Sequence, residues 1–116
     1  MDDRLKISLL LEFYGNLLTK KQCEMLSLHY NMDYSLAEIA DEYHITRQGA
    51  FDNIRRGRQS LLELEDKLKL CGKFENNIKA AKRVLEYLEK IDKSKLDDVS
   101  VEYLDKIAKE VTKLSE

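Results

Sequence analysis

The sequence predicts an all-α fold, a helix-turn-helix bundle whose long second motif helix runs on into a C-terminal helical hairpin. Three observations carry that expectation. The chain of 116 residues has no proline and four glycines, so it lacks the strongest helix breakers. It is 43% hydrophobic and 36% charged, with much Leu, Lys and Glu, a balance that favours helix. Its apolar residues recur at steps of three and four, and no segment alternates with a period of two, so no strand is expected.

About six helices follow in order. The first spans Asp3 to Tyr14, with Leu5, Leu9, Leu10 and Phe13 proposed for one face, and Gly15-Asn16 ends it. Thr19 with Gln22 three positions on has the form of a capping box and opens a helix through about His29, with Cys23, Leu26 and Tyr30 on a stripe. Ser35 with Glu38 is a second such box, opening a short helix that ends near Glu42. Tyr43-His44-Ile45 reads as a turn. Thr46 caps the next helix, which meets no strong breaker before Cys71; Gly72 is the expected stop. Residues 74–91 form an amphipathic helix through Phe74, Ile78, Ala81, Leu85 and Leu88. A charged connection over 92–98 leads to a last helix bearing Val101, Leu104, Ala108, Val111 and Leu114 or Ser115. Two parts are expected, 1–71 with the motif at 35–58, and 72–116 as a C-terminal packing or dimerisation region.

Charge and special residues exclude several classes. Twenty basic and 22 acidic side chains give a net charge of −2, without a basic or acidic tail in either half. Cys23 and Cys71 lie far apart with no histidine in metal-ligand spacing, so small buried hydrophobes in a reducing cytosol are expected rather than a metal site or disulfide. The amino-terminal stretch does not read as an export signal, and no run approaches the ~20 apolar residues of a membrane span. His29 and His44 are isolated, and there is neither a glycine-rich phosphate loop nor a carboxylate cluster. The expectation is a cytoplasmic, non-enzymatic protein without cofactor, metal or membrane insertion.

The informative stretch is SLAEIADEYHITRQGAFDNIRRGR, residues 35–58. A short capped helix, a tight turn and a second capped helix make a helix-turn-helix. Leu36, Ile39, Ala40, Ile45, Ala50 and Ile54 are the expected motif core; Ala40 and Ala50 are small where the two helices cross, and Ala50 and Ile54 are four apart and share a face. The outward face then holds Thr46, Arg47, Gln48, Asp52, Arg55, Arg56 and Arg58. Four arginines against one aspartate make this stretch locally +3. Arginine and glutamine near a helix N-terminus present paired hydrogen-bonding groups to base edges in a major groove. Thr46 and the first free N–H groups suit a phosphate, and the later arginines suit the backbone. The acidic neighbours Glu38, Asp41 and Glu42 weaken that field and fit a protein-facing surface equally well. Phe51 has three readings: core, a stack on the C-terminal hairpin, or a contact with a thymine methyl or a partner. Gly49 and Gly57 each cost the helix up to ~1 kcal/mol relative to alanine; Gly49 marks either a close backbone approach or an exposed, unconstrained site.

The runs Leu17-Leu18-Thr19-Lys20-Lys21-Gln22, Ser35-Leu36-Ala37-Glu38-Ile39-Ala40 and Thr46-Arg47-Gln48 resemble region 4 of bacterial sigma factors. More specifically, Phe13-Tyr14-Gly15-Asn16-Leu17-Leu18-Thr19, the run from Thr46 to Arg56, and the leucine-rich extension from Leu61 to Leu70 resemble the YlxM family of small bacterial helix-turn-helix proteins. The resemblance covers about residues 4 to 75. Gly49 and Ala50 depart from it, since alanine and a β-branched residue are usual there. It implies a cytoplasmic bacterial protein with a regulatory part in the signal recognition particle pathway, through genes beside those of the particle's GTPase or its receptor. Sigma-like similarity implies promoter-type DNA reading, but no other sigma region is present. DNA is the first expected partner; the particle's RNA or its GTPase subunit is the alternative. The C-terminal helices either cover one another and the first helix, or form the interface of a homodimer.

Overall fold

A computed structural model describes residues 3–116. The described residues are all-α, with six α-helices: α1 (Asp3–Tyr14), α2 (Lys20–Tyr30), α3 (Leu36–Tyr43), α4 (Arg47–Leu68), α5 (Leu70–Glu89) and α6 (Asp98–Leu114). Short 3-10 turns at Gly15–Leu17 and Lys93–Lys95 join two of the pairs. No helix among them is long and apolar enough to cross a membrane. The chain divides into two compact units, Met1–Cys71 and Gly72–Glu116.

The caps that open α2 and α3 are ones the sequence marks, but at Thr19 only one half of the expected box forms. The Thr19 hydroxyl accepts from the Gln22 N–H at 3.1 Å, starting α2. At Ser35 both halves of the box close: its hydroxyl accepts from the Glu38 N–H, and Glu38 Oε1 accepts from the Ser35 N–H, each at 3.1 Å. Each satisfies a backbone donor that the helix itself leaves free.

In the first unit α1, α2 and α3 enclose the inner face of α4. Ile7, Leu10, Leu11 and Tyr14 are the buried face of α1. That corrects the expected stripe: Leu10 is buried, but Leu9 and Phe13 are only half-buried and Leu5 is exposed. The run ISLLLEFY offers two helical stripes side by side, and packing chooses the one ending in Tyr14. On α2 the buried pair is Met25 and Leu26, with Cys23 and Tyr30 half-buried. Neither Cys23 nor Cys71 is in a disulfide, and Cys71 joins the core.

The second correction concerns the end of α4. Gly72 does not stop it; the helix ends at Leu68, and Lys69 takes a left-handed φ of 56°. The cause is a polar clamp around the buried Tyr14. Its hydroxyl donates to Glu65 Oε1 at 2.5 Å and accepts from the Leu70 N–H at 3.1 Å. The same Glu65 oxygen accepts from the Cys71 N–H at 3.1 Å. Two free donors at the start of α5 are thereby satisfied, so a new helix begins there and Gly72 lies within its first turn. Burial, then the hydrogen bond to Glu65, raises the Tyr14 pKa above its ordinary value.

In the second unit, Asp97 caps α6 by accepting from the Ser100 N–H at 2.7 Å; the Ser100 hydroxyl and then this N–H hold its carboxyl below its ordinary pKa. The α5 residues Leu85 and Leu88 and the α6 residues Leu104 and Ala108 line a shared groove.

Candidate nucleic-acid interface

The site is built on the junction of α3 and α4. The turn is one residue later than the spacing suggested: Tyr43 still belongs to α3, and His44 closes it with a left-handed φ of 55°. The Ile45 N–H then returns to the Ala40 carbonyl at 3.0 Å. A left-handed non-glycine residue costs about 1–2 kcal/mol, which the turn's hydrogen bonds and the packing of Ile45 offset. Thr46 Oγ1 accepts from the Gly49 N–H at 2.9 Å and starts α4.

Four of the six expected core residues, Ile39, Ala40, Ala50 and Ile54, are buried; Leu36 and Ile45 are half-buried against them. Alanine at positions 40 and 50 lets the helices meet closely. The closest approach is elsewhere. Gly57 is buried, and a Cβ built there would lie 2.8 Å from Leu26 Cδ1 and 3.3 Å from its Cγ. Gly49 is crowded only by its own cap, 3.2 Å from Thr46 Oγ1. The glycine that admits a neighbouring helix is therefore Gly57, where α2 crosses α4.

The outward residues separate into three groups. Arg47 and Gln48 are exposed in the first turn of α4, and Arg47 has no hydrogen bond or ion pair with any described residue. Asp52 stands one turn on as a brace, accepting from Gln48 Nε2 at 3.2 Å and lying 3.8 Å from the Arg55 guanidinium. Thr46, Arg47, Gln48, Asp52 and Arg55 thus lie on one continuous surface. Arg56 follows Arg47 by about two and a half turns, so it points to the opposite side. Arg58 is held against Asp3 of α1 at 2.7 Å. The local +3 is consequently not displayed as one patch, because Asp52 and Asp3 each take up one arginine.

Phe51 is not core. It is 45% exposed and lines an open hollow with Leu36, Arg47 and Gln48. Its position one turn after Arg47 turns it away from the Ala50–Ile54 face. This apolar floor beneath two long polar side chains was visible in the sequence only as a bulky residue at an outward position. Nearby, the Tyr43 hydroxyl donates to Glu24 Oε2 at 2.9 Å, tying α3 to α2. Burial and then that carboxylate push the Tyr43 pKa up to about 12. No group of His, Cys, Asp or Glu among the described residues is arranged to hold a metal ion.

The arrangement has counterparts among known proteins. A UPF0122 protein of Acetivibrio thermocellus is 48% identical over 102 residues, covering 88% of this chain and 85% of its own. One from Clostridium kluyveri is 39% identical over 107 residues, covering 92% and 93%. Another, from Clostridium perfringens, is 37% identical over 111 residues, covering 96% and 97%. A family model described as "Putative helix-turn-helix protein, YlxM / p13 like" matches residues 1–109. With its Ser35-capped α3, its tight turn and its Thr46-capped α4, the chain belongs to that UPF0122 family of helix-turn-helix proteins.

Proposed function

We propose that the chain is a DNA-binding regulatory protein that acts in the cytoplasm and presents the first two turns of α4 to a major groove. The observation that carries this reading is the pair Arg47 and Gln48 at the start of the second motif helix, exposed, with Arg47 unengaged and Gln48 held in place by Asp52. Arginine suits the paired acceptors of guanine, and the glutamine amide suits the acceptor and donor that adenine presents side by side. Arg55 tracks the adjoining phosphates, and the unused N–H groups behind Thr46 add a weak anion site. Selection from a random duplex library, followed by titration of the enriched duplex, tests the reading. Arg47→Ala is expected to cost about 1–3 kcal/mol on that duplex and to relax preference at one base pair. A wild-type protein with no preference over random DNA at modest salt overturns it.

A second reading is favoured by the Leu36–Phe51 hollow, since an apolar floor next to exposed acids also suits a protein side chain. In that reading the chain is an accessory module of the signal recognition particle, binding its GTPase subunit or its RNA, as the YlxM resemblance implies. Titrating one preparation against duplex, particle RNA and GTPase separates the two. Phe51→Ala abolishes GTPase binding and spares duplex binding if the hollow serves a protein.

A further inference from the structure

We propose that α6 pairs antiparallel with α6 of a second copy of the chain, through a face distinct from the one it turns toward α5. The helix is apolar on two sides. Leu104 and Ala108 line the groove shared with α5, and Val101 and Val111 lie half-buried on the same side. Val99, Tyr103, Ile107 and Leu114 form a second stripe, and they are 59%, 60%, 45% and 67% exposed. Steps of four, four and seven keep these four on one side of a 3.6-residue helix. A solvated helix needs only one apolar face; a second stripe is what a partner helix covers.

The charges beside the stripe identify the occupant. Asp98, Glu102 and Asp105 lie in the N-terminal half of α6, and Lys106, Lys109 and Lys113 in the C-terminal half. They mirror one another about the midpoint between Asp105 and Lys106: Asp98 with Lys113, Glu102 with Lys109, Asp105 with Lys106. Helical spacing sets Glu102 and Lys109 on one flank of the stripe, with Lys106 and Lys113 closer to it, whereas Asp98 and Asp105 lie on the far side of the helix. A two-fold axis through that midpoint sets Glu102 of each copy beside Lys109 of the other, twice per dimer, and both flanks fall on the same side of the pair. A parallel two-fold pair would put the two charged flanks on opposite sides, where they do not meet. Existing pairs do not oppose this: Lys106 with Glu102 at 3.4 Å and Lys93 with Asp105 at 3.3 Å are exposed and exchangeable. Glu110 interrupts the stripe toward its end, paired with Lys113 at 3.3 Å, so the dry centre is Val99, Tyr103 and Ile107. One helix of this length covers less than the ~800 Å² per partner of a standard interface, so a weak, concentration-dependent dimer is expected.

Sedimentation equilibrium of the full chain over a wide concentration range tests the pairing. The mass is expected to rise from 13.6 kDa toward twice that value. Ile107→Glu, with helix content checked by circular dichroism, is expected to stay at the monomer mass. Glu102→Lys should weaken association about tenfold, since each dimer then contains two repelling pairs in place of two attracting ones. Adding Lys109→Glu to it should recover affinity to within about twofold of the original, because the mirrored pairs are restored with their signs exchanged. A wild-type mass fixed at 13.6 kDa up to millimolar concentration overturns the proposal. So does wild-type-like association of Ile107→Glu, or a double variant no tighter than the single one, which would mean that the charges do not meet in antiparallel register.

Discussion

Gly57→Ala inverts the ordinary expectation for a glycine inside a helix. On an exposed helix face the change stabilises by about 1 kcal/mol, because alanine loses less backbone freedom on folding. Here the added Cβ arrives 2.8 Å from Leu26 Cδ1 and 3.3 Å from its Cγ. Leu26 is fully buried, so it cannot swing its methyl into solvent and must displace its core neighbours instead. Overpacking of this kind costs typically 1–3 kcal/mol. The two effects sum to a net loss of up to about 2 kcal/mol, read as a lowered denaturant midpoint in urea followed by far-UV circular dichroism. The sharper measurement is the double-mutant cycle with Leu26→Ala. Removing the Leu26 branch frees the space, so Gly57→Ala in that background should show its helix-propensity gain, and the two changes should couple by about 1–3 kcal/mol. If the glycine substitution is equally stabilising with and without Leu26, then α2 and α4 are not in close contact at that point and the reasoning fails.

Other expected outcomes are simpler. Ser35→Ala should destabilise the fold by about 1 kcal/mol through loss of the α3 cap, visible as a lower melting temperature. Arg58→Ala should leave duplex affinity almost unchanged while Arg47→Ala does not, because Arg58 is engaged by Asp3 at 2.7 Å; equal losses in a filter-binding titration would refute the split. The Tyr43 phenol, raised to about 12 from 10.0, favours the folded state while it is protonated. Its contribution is full below pH 10 and is lost as the pH climbs through about 12. Tyr43→Phe should flatten the alkaline arm of a stability-against-pH curve, and an unchanged arm would show that another group carries it.

Local signals were readable where the chemistry is local. Thr19, Ser35, Thr46 and the 3.6-residue spacing specify where helices start, and a side-chain cap needs only its own three or four residues. Signals that depend on distant partners were not. The end of α4 is set by Tyr14, which lies far upstream of Glu65 and Leu70 in the chain, so nothing around Lys69 announces a left-handed residue. Gly57 looks like any helical glycine until Leu26 is placed against it. The outward arginines were visible as residue types, but their availability was not: whether Arg58 is free depends on Asp3, more than fifty positions away. Phe51 was visible as an anomaly, and only its neighbour Leu36 turns the anomaly into a hollow.

The net charge of −2 and the disposition of the arginines set a quantitative limit on any grip on DNA. On the α4 face that carries Arg47 and Gln48, the cations are Arg47 and Arg55, and the second of these is shared with Asp52. With two cationic charges releasing counterions per copy, Arg55 at a phosphate and Arg47 within the groove, log affinity should fall against log salt with a slope of about −1.8, or ~12-fold between about 50 and 200 mM salt. A dimer binding two half-sites doubles the count, giving a slope of about −3.6 and a loss of ~150-fold over the same range. The slope therefore reports which species holds the duplex. Wild type should show the steeper value and Ile107→Glu the shallower one, while Arg55→Ala reduces the dimer slope by about 1.8 because it acts twice. Arg58→Ala should not change either slope, since that guanidinium already answers a carboxylate. A slope near −7 in the wild type would require every arginine of residues 46–58 in both copies to meet a phosphate, and would refute an interface confined to the first turns of α4.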